Sequence, residues 1–484
     1  MPLIQELNTS GNTDTSALNK VLTYIRRRST IFVFLAALCF RLVYFLALQP
    51  WTPEAEQQIV LHNDATEYHL IANDIACRHQ FSLTVAPLPD GIRTPVYPVY
   101  VALFYSAFGA KPFLPILVQV FLDAFACVLL FRISRNFLSH TAATVAALLY
   151  ATDPFTIYYS NALFSDTLLT LTLLAGVYAL LPFFKFSAQF PRVRNVLAGG
   201  VLFGFSALIK PVCVYLIILI PLLLFILWMR RGSALRFALI FFVSSFTVIA
   251  PWLLHNYIVY HRPVLSTSAA YNLLTLTVVP LAAENEHASY KVVSERLFGE
   301  ADQLAAIDGK NSREMNTFEK APYWRRVGMQ YIAKYPTQFL RDYSFGVAHL
   351  FMGLESKAIT KGLHLNTMPE GPELDQYVNP LQRKSTWFTS KTAEELLIAT
   401  LVIVFLFFSY GLIFIGLKRF PVFLPTSFAW FCILMVFYFV LLTGAAGVAR
   451  FKLPVMPFLY VFAGIGGEMV WTSAQRIFRQ KSTY

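Results

Sequence analysis

The stretch LHNDATEYHL (Leu61 to Leu70) sets Asp64 and Glu67 among two histidines, a dozen residues after a long apolar run. A carboxylate in such a place can take the proton from a hydroxyl group as it attacks. Four cations recur elsewhere at the edges of apolar runs, Arg93, Lys210, Arg450 and Lys452, and a second acid, Asp166, closes a short polar connection. Arginine and lysine stabilise phosphate oxygens, arginine two at a time. One base with several cations suits transfer of a group from a phosphate to a hydroxyl, because a phosphate leaving group needs charge stabilisation and not a protonating acid. Each residue also has a plainer use. Asp64 heads D-A-T-E, a capping-box pattern for a helix running through Tyr68, Ile71 and Ile75. Asp166 could cap the apolar segment that follows it, and Arg450 and Lys452 could snorkel to lipid headgroups.

Whether these residues can meet depends on the elements between them. The 484-residue chain is 56% hydrophobic and only 14% charged, with a mean hydropathy of +0.55, which is far more apolar than a soluble domain. It reads as an all-α polytopic membrane protein. The net charge of +12 does not indicate nucleic acid, since the basic residues form short clusters between apolar runs instead of one continuous face. Apolar segments near 31–49, 113–131, 138–153, 164–184, 196–209, 212–229, 234–254, 396–417, 421–443 and 453–471 give about ten transmembrane helices.

With the N-terminus inside, Arg26-Arg27-Arg28, Arg132 and Arg135, Lys185 with Arg192 and Arg194, Arg230-Arg231, Lys418-Arg419, and Arg476 with Arg479 all fall in the cytoplasm. Arg194 and Arg230 then demand an even number of crossings between them, and Lys210-Pro211 breaks 196–229 where a tight hairpin needs it. By the same logic Thr94 to Gly109 is an interfacial or half-inserted helix, because a full crossing would put Arg132 and Arg135 outside.

The implied organisation is a cytoplasmic segment at 1–30, with residues 1–20 polar and disordered, then a transmembrane catalytic module at 31–254 containing a first outer loop at 50–112. A periplasmic loop domain at 255–395 follows, with an amphipathic interfacial helix at Tyr331 to Phe351, and 396–484 supplies the last transmembrane helices and a cytoplasmic tail. This places Asp64, Arg93, Asp166, Lys210, Arg450 and Lys452 at one water–lipid boundary. Arg41, inside the first span, needs a partner in the bundle. The five cysteines make no disulfide framework, and no CxxC or HExxH spacing indicates a tightly held metal. His62, Asp64 and His69 could meet a divalent cation, so one is possible and none is required.

The order D-x-T-x-Y, then R-x-P-x-Y-P, then a second-loop acid, then PWLLHNYIVYHRPVLST and RFKLPVMPFL, resembles bacterial membrane glycosyltransferases of the GT-C fold. These are relatives of protein O-mannosyltransferases and of the lipid A aminoarabinose transferase. The resemblance implies a hexosyl- or pentosyltransferase of the inner (plasma) membrane, with its active site facing the periplasm. It implies a polyprenyl-phosphate sugar donor and a glycan, lipid or protein acceptor. Asp64 matches the loop-one catalytic acid, Asp166 the second-loop acid and Arg93 a donor-phosphate contact. Lys210, Arg450 and Lys452 are further candidates for the phosphate, and Tyr68, Tyr97 and His255 for substrate. Lys210 stands where relatives often have arginine, and His255 where they commonly have arginine before asparagine. A single displacement with Asp64 as base would invert the anomeric carbon, while Asp166 as a nucleophile would retain it. Two other functions suit the same composition: a transporter or flippase of a lipid-linked anion, and a polysaccharide ligase or polymerase with a diphosphate-linked donor. The lack of repeated halves and the position of the acids at loop edges favour the transferase over the transporter.

Overall fold

The computed structural model describes residues 29–82, 91–185, 191–229, 232–367 and 391–481. Arg26-Arg27-Arg28, Arg230-Arg231 and the polar N-terminal segment lie outside them. Every regular element among the described residues is helical, as the lack of any period-two alternation in the long apolar runs requires.

A helix stands at each of the ten expected places. They are α1 (Ser29–Leu48), then α4 (Phe113–Arg135), α5 (His140–Thr152), α7 (Asp166–Leu180), α8 (Val193–Ile209), α9 (Leu216–Trp228), α10 (Ala234–Tyr260), α14 (Ala393–Phe423), α15 (Thr426–Thr443) and α16 (Met456–Lys481). Between them, α2 (Asp64–Arg78) and α3 (Val96–Phe108) belong to the first connection, and α6 (Pro154–Ser160) to the second. The segment between α10 and α14 holds α11 (Tyr290–Ile307), α12 (Thr317–Lys334) and α13 (Pro336–Met352).

Among the described residues, seven of the apolar helical stretches are long and apolar enough to cross a membrane. The others are shorter or more polar. The 13 residues of α5 reach only about 20 Å at 1.5 Å per residue. Pro211 ends α8 where expected: Lys210 takes an extended backbone and a 3-10 turn at Pro211–Tyr215 leads into α9. The expected gap between 417 and 421 is not there, because α14 continues through Pro421 to Phe423 and the chain breaks at Leu424-Pro425. Lys418 and Arg419 therefore sit on a helix and not in a connection. The single amphipathic helix expected at Tyr331 to Phe351 is also two helices, since Pro336 has no N–H to continue α12 and opens α13 instead.

Close helix contact explains several glycines. Gly416 on α14 lies against the Phe462 carbonyl of α16, and Gly466 on α16 against that of Leu412, so any Cβ there would meet backbone. Small residues let apolar helices approach where no hydrophobic drive separates helix from lipid. Across α1, α4 and α5, Arg41 is fully buried and donates to Asp123 at 2.5 Å, to the carbonyls of Ala37 and Ala151 at 3.0 Å and to Thr156 at 3.2 Å. Tyr150 completes the site by donating to Asp123 at 2.7 Å. A guanidinium at that depth is tolerable only because nearly all its donors are used. A separate small core, including Leu274, Val293, Leu297, Trp324 and Val327, holds residues 273–331 together.

Candidate active site

The helix α2 begins directly at Asp64, after Asn63, whose backbone has the positive φ of 50°. The neighbouring residue Asn63 occupies the cap position and makes no side-chain cap bond. Asp64 is thus not a cap. Its carboxylate accepts from Arg93 Nη2 at 2.6 Å on one oxygen and from Arg450 Nη2 at 2.5 Å on the other. Glu67, one turn on, also turns away from the backbone and accepts from Arg93 Nε at 2.6 Å.

Two hydrogen bonds between segments distant in sequence hold Arg93 there. Gly91, at φ 75°, presents its carbonyl to the Thr267 N–H at 2.9 Å, and the Thr94 hydroxyl donates to the Ile209 carbonyl at 3.0 Å. The second bond fastens the Arg93 segment to the end of α8, immediately before Lys210. Tyr68 supports the guanidinium from below, with the Arg93 Cζ 5.0 Å from its ring centroid, and shares a 3.2 Å hydrogen bond with Ser165. Tyr97 is fully buried against Tyr68 and donates to Gln119, which itself donates to the Ala162 carbonyl at 2.9 Å. These links tie α2, α3, α4 and the turn before α7 into one wall.

Asp166 opens α7 and is 1% exposed. It does not cap its helix either: Ser165 holds that position, and the Asp166 carboxylate receives the Lys210 ammonium. Its second oxygen lies 3.5 Å from Arg450 Nε, close enough for ion pairing yet without hydrogen-bond alignment. Arg450, on the short turn Ala449–Lys452, therefore lies between both acids. The rings of Phe164 and Phe451 flank it, with centroids 4.5 and 5.5 Å from Cζ, and Lys210 Nζ is 5.1 Å from the Phe451 ring.

Burial by itself would raise the Asp64 pKa, but Arg93 and Arg450 outweigh it and hold the carboxyl well below its usual range. Burial depresses the Lys210 ammonium despite Asp166. Arg450 is opposed by burial and carried well above its ordinary value by Asp166 and Asp64. Three acids and three cations thus balance each other in a patch whose side chains, Asp166 excepted, retain 12–27% exposure.

Lys452 and His255 stand apart from this patch. Lys452 is wholly buried, donates to the Phe351 carbonyl at 3.2 Å and lies over the Phe155 ring, and burial pushes its ammonium down to about 8 against the pull of Asp153 and Glu355. Its backbone position two residues after Arg450 does not put its head group beside the acids, because side chains two apart on a 3-10 turn of about three residues per turn leave on different faces. His255 is exposed, with its ring stacked on Trp252 at 4.8 Å. The residues that could meet a divalent ion are also dispersed: His69 bonds the Tyr105 hydroxyl at 2.8 Å, His62 packs edge-on to Phe164, and Asp64 faces the arginines. Among the described residues no three His, Cys, Asp or Glu side chains group to hold a metal. The partners that the sequence left unrecognised are Glu67, seen there only as part of a capping box, and the aromatic flanks Phe164 and Phe451; no spacing signal marks either ring.

Residues 92–255 match the family described as dolichyl-phosphate-mannose-protein mannosyltransferase. The matched segment contains Arg93, Asp166 and Lys210, while Asp64 and Arg450 fall outside it. No curated relative matches the chain. Among solved structures, the oligosaccharyltransferase AglB of Archaeoglobus fulgidus, in complex with an inhibitory peptide and a dolichol-phosphate, is 12% identical, with a TM-score of 0.48 over 93% of this chain and 52% of that one. The chain spans about half the length of that enzyme. ArnT from Cupriavidus metallidurans bound to undecaprenyl phosphate is 12% identical, with a TM-score of 0.39 over 90% of this chain and 77% of that one. The resemblance to GT-C membrane glycosyltransferases carried by the order of the motifs is thus supported, over residues 92–255, by the mannosyltransferase family.

Proposed function

We propose that the chain moves a sugar from a polyprenyl-phosphate donor to a glycan, lipid or protein acceptor on the periplasmic side of the inner membrane. The observation that carries this reading is the convergence of Arg93, Lys210 and Arg450, from three distant segments, on Asp64 and Asp166. The family match over 92–255, whose described reaction uses a lipid-phosphate sugar, supports it.

The resting geometry bears on the mechanism. A carboxylate held by two guanidiniums is a weak base, so Asp64 cannot accept a proton efficiently until those donors are drawn off. The donor phosphate is the group that draws them: its oxygens match the forked geometry of arginine, and Arg93 and Arg450 then turn from Asp64 to the phosphate. Asp64 is released as its pKa rises. The acceptor oxygen attacks the anomeric carbon, its proton passes to Asp64, and the bond from that carbon to the phosphate oxygen breaks. A donor phosphodiester carries one negative charge and the departing phosphate gains a second, so cations aimed at it stabilise the transition state more than the ground state. Burial of Asp166 beneath Lys210 favours inversion over a retaining path in which Asp166 would be the nucleophile.

The test is to incubate the purified protein with a polyprenyl-phosphate sugar and acceptor-bearing envelope material and to measure free polyprenyl phosphate. Release by wild type, reduced in Arg450→Ala at limiting donor, supports the reading. Transport of labelled lipid without release would make the protein a flippase, and release of a diphosphate would indicate a ligase or polymerase.

A further inference from the structure

At the far end of α7 and α8 from Asp166 and Lys210 lies a second polar hollow. It has a volume of about 240 Å³ and is lined by Asn136, Tyr178, Leu181, Pro182, Lys185 and Asn195. That is far more than one water needs and leaves room for a phosphate with part of its ester group. Along the 15 residues of α7 the hollow stands about 22 Å from Asp166, so it cannot be an annex of the ion-pair patch.

Its surroundings carry one sign of charge. The connections on either side contribute Arg132, Arg135, Lys185, Arg192 and Arg194, and neither 132–140 nor 181–195 contains an Asp or Glu. In the Asp64 patch the cations are matched by acids; here Lys185 is exposed and makes no ion pair among the described residues. The polar walls are fixed in place: Asn136 donates to the Arg132 carbonyl at 2.7 Å and Asn195 to the Ala179 carbonyl at 3.1 Å, which leaves each carboxamide a second N–H. The floor is apolar, Leu181 and Pro182, and Tyr178 borders the lipid-facing side with 39% exposure. Lysine ammonium, spare amide N–H groups and a tyrosine hydroxyl around an apolar floor at a helix-bundle end match a phosphate ester with acyl chains attached.

We propose that this hollow binds the phosphate headgroup of an anionic phospholipid from the leaflet opposite the Asp64 patch. Basic loop residues alone would attract such lipids diffusely; the hollow adds a place where one headgroup is held, with its chains lying along α7 and the surface of α4.

The experiment is native mass spectrometry of the full chain released from micelles supplemented with phosphatidylglycerol or phosphatidylcholine, together with melting curves in the same lipids. Wild type is expected to retain one tightly held phosphatidylglycerol and no phosphatidylcholine. Lys185→Glu should weaken that retention about tenfold or more, the usual weight of a charge-assisted contact. Lys418→Glu, an equal charge change at an exposed position outside the hollow, should retain the lipid as wild type does. Equal weakening in both variants, or no preference for the anionic lipid, overturns the proposal as a general surface effect. Inorganic phosphate that protects the protein as well as the lipid does would make this a site for soluble phosphate and overturn the lipid assignment. If Lys185→Glu does not fold, Lys185→Gln removes the charge alone and carries the same comparison.

Discussion

Arg450 and Asp64 lie 386 positions apart in the chain, and their side chains meet at 2.5 Å. The same guanidinium approaches Asp166, so one residue from the turn before α16 fixes the relation between the two acids. Arg93 does the corresponding work on the other side of Asp64, where Glu67 is its second partner. A neutral patch results, and its cations are available only to a ligand that competes with carboxylates.

Asp64→Asn keeps the size of the side chain and removes its charge. If Asp64 were only a helix cap, stability would change by about 1 kcal/mol or less, since Asn caps as well as Asp. The observed pairing instead predicts a loss of about 1.5–3 kcal/mol, because two arginines lose a charge-assisted acceptor. Turnover at saturating donor should fall roughly 10²–10⁴-fold. Both quantities are to be measured on the same samples, and near-normal turnover with reduced stability would leave Asp64 a structural anion.

Arg93→Ala and Arg450→Ala should raise the donor requirement more than the acceptor requirement, by roughly ten- to a hundredfold for one lost phosphate contact. They should differ in stability. Arg450→Ala strips both acids of a partner and should cost about 3 kcal/mol, the lower part of the range for breaking a buried pair. Arg93→Ala leaves Asp166 untouched and should cost less. Steady-state kinetics with each substrate varied in turn, plus thermal melts, separate the two effects; equal rises in both requirements would mark these residues as loop anchors.

The pH dependence of stability follows from the direction of the Asp64 shift. Its folded pKa lies below its unfolded value, so its contribution is complete above the ordinary carboxylate range and is lost as pH falls through the folded value. The gap in melting temperature between wild type and Asp64→Asn should be constant from pH 7 to about 5 and narrow below about 4, where the unfolded carboxyl protonates. A gap that closes between pH 7 and 5 would mean that the arginines do not hold Asp64 in the ionised form.

Lys452 offers a contrast to Arg450. With its ammonium turned to the Phe351 carbonyl, Lys452→Met should raise the donor requirement far less than Arg93→Ala does. Burial lowers its pKa to about 8, below the unfolded value of about 10.4. Wild-type stability should therefore rise with pH between those values, as the folded state gives up its proton first, and Lys452→Met should abolish that rise. Melts at pH 7.5 and 9.5 measure it.

Reporter fusions after Arg135, Arg194 and Lys418 are expected to report cytoplasm, and fusions near His62, Ser160 and Asn311 the outer space. An outer signal after Arg135 would place the Asp64 patch on the cytoplasmic side and remove the basis for a periplasmic acceptor.

Much of the framework was legible because its signals are local. Apolar runs marked where ten of the helices stand, and Pro211 marked the end of α8, since a missing N–H acts on its own turn whatever the rest of the chain does. The same locality misled at Pro421, which α14 absorbs near its end, and at Pro336, which divides what reads as one amphipathic stripe. Residue types likewise pointed to acids and cations that could meet a phosphate leaving group. Only the tertiary structure decided their pairing: that Asp64 and Glu67 serve Arg93 and not their own helix end, that Arg450 joins the group while Lys452 two residues on is buried away from it, and that Arg41 finds Asp123 across the bundle. Helix formation depends on neighbours three and four residues away, whereas an ion pair depends on where two side chains end after the whole bundle has packed, a distance that sequence separation does not encode.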